Sequence, residues 1–106
     1  ASGYDAGGVD PLGRMLLHSE SYRALTQKAM DLAGTLSAGK LVIVHEGGYA
    51  ESHVPFCVQA VVEKLSDEMT EVADPSLELM IAQQPNERVN QFHKQLIDEI
   101  AELHSL

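Results

Sequence analysis

The spacing of hydrophobic residues predicts amphipathic helices over residues 20–37, 51–65 and 86–104. In each stretch, apolar side chains return every three or four positions, which places them on one face of a helix. Ser19 is predicted to cap the first helix and Gly39 to end it. The three predicted faces are, in chain order, Tyr22, Leu25, Ala29, Leu32 and Leu36; Val54, Val58, Val61, Val62 and Leu65; and Val89, Phe92, Leu96, Ile100 and Leu103.

Residues 41–44 form a short, continuous apolar run between glycine-containing segments. Such a run is typical of a parallel strand that is buried on both faces. Residues 1–5 are predicted to be the end of another buried strand that begins before Ala1. Strands and helices then alternate, which favours an α/β fold with a parallel sheet. Two strands do not form a stable parallel sheet, so we expect the others to come from residues outside this sequence or from a partner chain.

The pattern changes after residue 66, where residues 66–74 are mostly polar. Asp74 and Pro75 predict the start of a short helix that runs to about Gln83, and Pro85 separates it from the final helix. Two arrangements are open for the apolar face of that final helix. It packs back on its own domain, or it forms a contact between two copies of the chain.

Composition narrows the classes of function. The chain has 106 residues and a net charge of −9, from 7 basic and 16 acidic residues. Without a cluster of Lys and Arg, nucleic acid is not an expected partner, whereas a cationic substrate fits the sign of the charge. No apolar run approaches the length of a membrane span, and the first residues lack the features of a signal peptide. We therefore predict a cytoplasmic protein whose single cysteine, Cys57, is a packed side chain.

Two polar motifs follow the two predicted strands. Residues 2–6 (Ser-Gly-Tyr-Asp-Ala) lead to residues 10–13 (Asp-Pro-Leu-Gly), and residues 46–49 (Glu-Gly-Gly-Tyr) follow the apolar run. Ligands of open α/β sheets bind beyond the carboxyl ends of the strands. The two motifs are therefore predicted to lie at one site.

In this order and spacing, the motifs resemble the last third of the catalytic domain of the zinc-dependent histone deacetylase and acetylpolyamine amidohydrolase family. The resemblance covers residues 1–66, and residues 67–106 are predicted to form a helical C-terminal tail similar to that of the bacterial, class II-like amidohydrolase branch. It implies a portion of a three-layer arginase/deacetylase-like fold, with a parallel sheet flanked by helices. It also implies Zn²⁺ as cofactor and an acetylated amine, either acetyl-lysine or an acetylpolyamine, as substrate.

The resemblance also implies roles for individual residues. Asp5 matches a zinc ligand, and Tyr49 matches the tyrosine that donates a hydrogen bond to the developing oxyanion. Leu12, Gly47 and Gly48 match walls of the substrate pocket. Each residue has a structural alternative: a turn cap for Asp5, a turn anchor for Tyr49, a loop anchor for Leu12 and a tight turn for the two glycines.

The sequence departs from a complete enzyme of this family. It contains no Asp-x-His segment and no adjacent histidines, the sources of the family's other zinc ligands and general base. We predict that this chain alone neither binds zinc tightly nor hydrolyses amides, because catalytic zinc needs about three protein ligands. His45 and His53 are expected to be structural or exposed, and the remaining histidines, His18, His93 and His104, are expected at the surface.

Two other functions are consistent with the sequence. The first is a non-catalytic, self-associating module, suggested by the excess of apolar faces over the available sheet. The second is an unrelated acidic α/β domain that carries similar motifs by chance.

Overall fold

The computed structural model describes residues 1–13 and 15–105. It consists of helices and a small parallel sheet, so the mixed α/β composition predicted from the sequence is confirmed. The elements in chain order are β1 (Ser2–Gly3), α1 (Ser19–Leu36), β2 (His45–Glu46), α2 (Val54–Ser66), α3 (Leu77–Ala82) and α4 (Glu87–Leu103).

The sheet has two parallel strands, with Ser2 opposite His45 and Gly3 opposite Glu46. The prediction of a strand over residues 41–44, buried on both faces, is wrong: β2 begins at His45, after the predicted segment has ended, and Val42 is 84% exposed. A strand is buried on both faces only when neighbouring strands and covering helices surround it. Among the described residues, β1 is the only strand that pairs with β2.

Helices α1 and α2 pack together and form most of the core with Tyr4. The predicted faces are correct at Tyr22 and Val61, which are buried, but Leu32 and Leu36 of α1 are exposed. The buried line of each helix consists largely of small or polar side chains instead. Small side chains let two helices approach closely, whereas the larger leucines lie outside the contact. The buried residues are Ser19, Tyr22, Thr26 and Ala33 in α1, and Cys57, Ala60, Val61 and Glu63 in α2.

The ends of α1 match the prediction at one terminus only. Gly39 has φ +78°, and its N–H donates to the carbonyl of Ala33, so it ends the helix as expected. At the start, the cap residue is His18 rather than Ser19. The Ser19 hydroxyl instead donates a 2.7 Å hydrogen bond to Asp74, which ties the start of α1 to the tail.

The segment between α2 and α3 folds back over the two core helices. Glu63, buried in α2, accepts hydrogen bonds from the N–H and hydroxyl of Thr70. Asp74 was predicted to cap the following helix, but α3 begins at Leu77, and the Asp74 carboxylate accepts the N–H of Ser76 in the preceding turn. The carboxylate is used in this turn and in the contact with α1, so it is not the helix cap.

Helix α4 follows Asn86, whose side chain accepts the N–H of Val89 as a cap. None of its residues is buried. Packing of its apolar face on its own chain, one of the two arrangements open from the sequence, is therefore not formed within residues 1–13 and 15–105. None of the helices described is long and apolar enough to cross a membrane.

Candidate active site

The carboxylate of Asp5 lies between two glycines that belong to the two separate motifs. A Cβ added at Gly3 would lie 2.7 Å from Asp5 Oδ1, and one added at Gly47 would lie 2.9 Å from the same atom. Both distances are too short for a real side chain. The structure therefore brings Asp5 and the Glu-Gly-Gly-Tyr turn into direct contact, as predicted from their positions at the strand ends. Within the described part of the chain, no hydrogen bond reaches the Asp5 side chain.

The turn after β2 depends on glycine backbone geometry. Gly47 has φ +36° and Gly48 has φ +118°, a region that other residues rarely adopt. A Cβ at Gly48 would also lie 2.8 Å from the Cβ of Tyr4. Both the backbone angles and the close approach of β1 therefore require glycine here. The tight-turn explanation for these glycines holds, and it is compatible with a role in a pocket wall.

Asp10 connects the loop after β1 to the turn after β2. Its fully buried carboxylate accepts the N–H of Tyr49 at 2.8 Å, the N–H of Leu12 at 2.8 Å and the N–H of Gly13 at 3.1 Å. Burial alone would raise the pKa of Asp10, but the backbone hydrogen bonds, including one from Ala50, outweigh it and lower the pKa. Asp10 therefore remains ionised and fixes both loops.

Leu12 and Tyr49 are positioned through their backbones, while their side chains remain accessible. Leu12 is 72% exposed and Tyr49 is 55% exposed. Gly13, beside Leu12, passes so close to the carbonyl oxygen of Asp5 that an added Cβ would lie 1.9 Å from it. The loop at Gly13 therefore packs against the backbone of Asp5. Of the predicted site residues, Gly47 lies against the Asp5 carboxylate, Gly48 packs against Tyr4, and the backbones of Leu12 and Tyr49 are joined through Asp10.

Tyr4, the residue before Asp5, packs against two other aromatic rings. The Tyr4 ring lies 5.0 Å from that of Tyr22 and 5.0 Å from that of His45, the latter edge to face. Burial, followed by the proximity of Cys57 and Asp5, raises the pKa of the Tyr22 hydroxyl. These contacts hold Tyr4 rigidly, and Tyr4 directly precedes Asp5. His45 is thus an exposed residue with a structural contact, as the sequence suggested.

His53 is buried behind the loop that follows Asp5. Its Cδ2 atom lies 3.2 Å from the position a Cβ would take at Gly7, and its Nδ1 is 3.9 Å from Asp74 Oδ1. Cys57 is fully buried nearby, and burial, then the charge of Asp74, raises its pKa to about 12. A thiol in that environment is a packed side chain, as predicted, and not a nucleophile.

The prediction that His18 is a surface residue is wrong. It is half-buried as the cap of α1, and its backbone N–H donates to Ser21 Oγ at 3.3 Å. His93 and His104 are exposed, as predicted. Searched over the described residues, the chain has no group of three or more His, Cys, Asp or Glu side chains arranged to hold a metal ion.

A cleft of about 470 Å³ lies away from Asp5, between α1, α2 and residues 69–78. Its lining includes Arg23 and Glu63, which form a 2.6 Å ion pair. Neither the segment at residues 2–13 nor the turn at residues 46–49 lines this cleft, so we do not assign it as the candidate active site. It is the junction where the tail folds onto the two core helices.

Comparison with known families shows which family the chain belongs to. The histone deacetylase domain matches residues 1–65. This chain belongs to the histone deacetylase family. It is similar to a histone deacetylase-like amidohydrolase from Pseudomonas aeruginosa, with 50% identity over 101 residues, which cover 95% of this chain and 27% of that protein.

Similarity extends to plant and animal members of the histone deacetylase family. Histone deacetylase 8 of Arabidopsis thaliana is 33% identical over 88 residues, covering 83% of this chain and 22% of that protein. Histone deacetylase 6 of Caenorhabditis elegans is 34% identical over 67 residues, covering 63% of this chain and 7% of that protein. The chain spans about a quarter or less of the length of these relatives.

Sequence reasoning correctly expected the Asp5 segment and the Glu-Gly-Gly-Tyr turn to meet, but it missed the structural function of Asp10. Before the structure, Asp10 was only part of a matching motif. The available signal was local: an Asp before Pro, followed by two further N–H groups, is typical of a turn in which the carboxylate accepts those N–H groups. Its bond to Tyr49 joins residues 39 positions apart, and no local pattern predicts it.

Proposed function

We propose that this chain is the C-terminal segment of a zinc-dependent amidohydrolase that removes acetyl groups from acetyl-lysine or acetylpolyamines. The contact between the Asp5 carboxylate and Gly47 carries the proposal, because it joins two motifs that are far apart in sequence. Membership in the histone deacetylase family supports the same class of reaction.

Asp5 is the proposed zinc ligand. A carboxylate oxygen suits Zn²⁺, and the two glycines around Asp5 leave space that a larger residue would fill. A zinc ion bound there would supply Lewis-acid activation of the amide. One carboxylate is not a complete catalytic site, so we expect the other ligands and the general base to come from residues outside this sequence.

Tyr49 is the proposed hydrogen-bond donor to the oxygen of the acetyl carbonyl as negative charge develops on it. Its exposed side chain can reach a substrate, while the bond from its N–H to Asp10 fixes its backbone. A fixed donor stabilises an oxyanion without having to reorganise during the reaction. Leu12 would contact the methylene chain of the acylated amine, and Gly47 and Gly48 would let the substrate pass close to the backbone.

The surrounding fold is proposed to be part of a three-layer arginase/deacetylase-like domain. The exposed apolar side chains of Leu41, Val42 and Val44 support this, because they require further sheet or helix to cover them. An apolar cleft of about 280 Å³ between α1 and residues 41–43 supports it as well. Residues 1–66 would form the end of this domain, and residues 67–106 would form the tail.

The experiment measures zinc content and deacetylation of an acetyl-lysine peptide by a longer protein that contains this chain. We expect one zinc per active site, lost in Asp5→Ala. Tyr49→Phe should retain zinc and lose roughly 10²–10³ of kcat. Tyr22→Phe removes a hydroxyl from the core of α1 and serves as the matched control with near-normal turnover. Full activity of Tyr49→Phe, or normal zinc content of Asp5→Ala, would contradict the assigned roles.

The second candidate function is a non-catalytic, self-associating module, and the exposed apolar face of α4 favours it. Turnover separates the two candidates. A longer protein that binds zinc but never deacetylates an acetyl-lysine peptide or an acetylpolyamine would support the module.

A further inference from the structure

We propose that α4 is a dimerisation element, and that two copies of this chain pair their α4 helices antiparallel about a two-fold axis that passes beside Leu96. The proposal concerns an interaction surface and does not depend on the catalytic assignment.

Helix α4 has an apolar face that the described chain leaves uncovered. The face consists of Val89, Phe92, Leu96, Ile100 and Leu103, and every one of them is an exposed large hydrophobic residue. An isolated helix of 17 residues is only marginally stable in water, and its stability in proteins comes mainly from burial of an amphipathic face. Stable formation of α4 therefore requires a partner with a complementary apolar face.

The pattern of this face is symmetric about its centre. Val89 and Leu103 are each seven positions from Leu96, and Phe92 and Ile100 are each four positions from it. When two copies pair antiparallel about Leu96, Val89 of one copy meets Leu103 of the other, and Phe92 meets Ile100. A two-fold contact must be self-complementary in this way, so a second copy of the chain fits the face.

The charges beside the face favour the same orientation. Arg88 and Glu99 are 11 positions apart, which is about three helical turns, and Glu102 follows Glu99 by three positions. All three residues therefore lie on one flank of the apolar face. In an antiparallel pair related by two-fold symmetry, identical flanks meet. Arg88 of one copy then lies about two residues, or roughly 3 Å along the axis, from Glu102 of the other copy. In a parallel pair the same two residues would be roughly 21 Å apart along the axis.

Sedimentation equilibrium of the whole chain measures the association. We expect a dimer, and Leu96→Glu should raise its dissociation constant by at least about tenfold, because it places a charge at the centre of the contact. Lys94→Gln changes the net charge by the same one unit on the opposite face of α4, where Lys94 is exposed, and should leave the dissociation constant nearly unchanged. A monomer at all concentrations, or a dimer insensitive to Leu96→Glu, would overturn the proposal.

Cysteine cross-linking tests the orientation without a destabilising charge. Leu96→Cys should form a disulfide between copies, since the two positions face each other on the axis. A mixture of Val89→Cys and Leu103→Cys chains should form the mixed disulfide, whereas Val89→Cys alone should not cross-link. The unaltered chain is the control, because its only cysteine, Cys57, is fully buried. Efficient self-linking of Val89→Cys would show a parallel pair and would refute the antiparallel model.

The same variants in a longer protein that contains this chain distinguish a second copy from the other occupant of the face, which is the rest of that protein. Retention of the dimer and of the Leu96→Cys cross-link supports the proposal. Loss of both, with α4 protected from proteolysis, would show that the preceding sequence covers α4, and the proposal would be wrong.

Discussion

The carboxylate of Asp10 accepts a 2.8 Å hydrogen bond from the backbone N–H of Tyr49, across 39 positions of sequence. The same carboxylate holds the turn that contains Leu12 and Gly13. One buried charge therefore sets the relative positions of the loop that carries the proposed pocket wall and of the turn that carries the proposed catalytic tyrosine.

Asp10→Asn should reduce turnover without removing zinc in a longer, active protein that contains this chain. Both oxygens of the Asp10 carboxylate accept backbone N–H groups, whereas an amide has only one oxygen. The NH₂ group of the new amide would face an N–H donor and could not accept its hydrogen bond. A small displacement of Tyr49 would follow, and misplacement of about 1 Å is enough to lower kcat by about a hundredfold. The measurement is kcat together with zinc content, and Asp31→Asn on exposed α1 surface is the control. Unchanged kcat in Asp10→Asn would show that the hydrogen bond does not position the tyrosine.

Gly47→Ala should damage the site, whereas Gly34→Ala should stabilise the chain. At Gly47 the new methyl group would lie 2.9 Å from Asp5 Oδ1 in a backbone with φ +36°, so it would displace the carboxylate. At Gly34, inside α1, an added Cβ has no atom within 4 Å, and helix propensity favours Ala by about 1 kcal/mol. Urea denaturation of the chain measures the effect of Gly34→Ala, and the zinc affinity of a longer, active protein that contains this chain measures the effect of Gly47→Ala. Equal zinc affinity in Gly47→Ala and the unaltered protein would contradict the close packing around Asp5.

The free energy of unfolding should decrease in acid as the stabilising contribution of ionised Glu63 is lost. Hydrogen bonds from Thr70 and the guanidinium of Arg23 lower its pKa from 4.5 to about 2. Because the folded-state pKa lies below the unfolded value, the stabilisation is fully present above about pH 4.5. It is lost as the pH falls towards 2. The urea midpoint, measured between pH 6 and pH 2.5, should fall more steeply for the unaltered chain than for Glu63→Gln. Glu68→Gln, an exposed carboxylate nearby, is the control, and parallel curves for all three would refute the assignment.

Cys57 should react with thiol reagents only after the chain unfolds. The side chain is fully buried, and burial followed by the charge of Asp74 raises its pKa to about 12, so almost no thiolate forms at neutral pH. The rate of modification by an aromatic disulfide should be negligible in buffer and fast in denaturant. Rapid modification of the folded chain would show that α1 and α2 separate readily.

Local patterns predicted the helices well and their buried faces less well. The period of apolar residues located α1, α2 and α4, because amphipathic spacing is a local property. It placed Leu32 and Leu36 in the core, but they are exposed, and the buried positions of α1 include Thr26 and Ala33 instead. Which part of an apolar face is used depends on the partner helix, and the partner is not visible in a local window.

By itself, the sequence determined the helices and the family, and it indicated that the two glycine-containing motifs meet. These features can be predicted because apolar periodicity, glycine-rich turns and ordered motifs are properties of short segments of the sequence. Only the tertiary structure decided that Gly47 lies against the Asp5 carboxylate, that Asp10 binds the N–H of Tyr49 and that Val42 and Val44 stay exposed. Each of these depends on contacts between distant segments, whose geometry is fixed by packing of the whole chain and not by the residues beside each position.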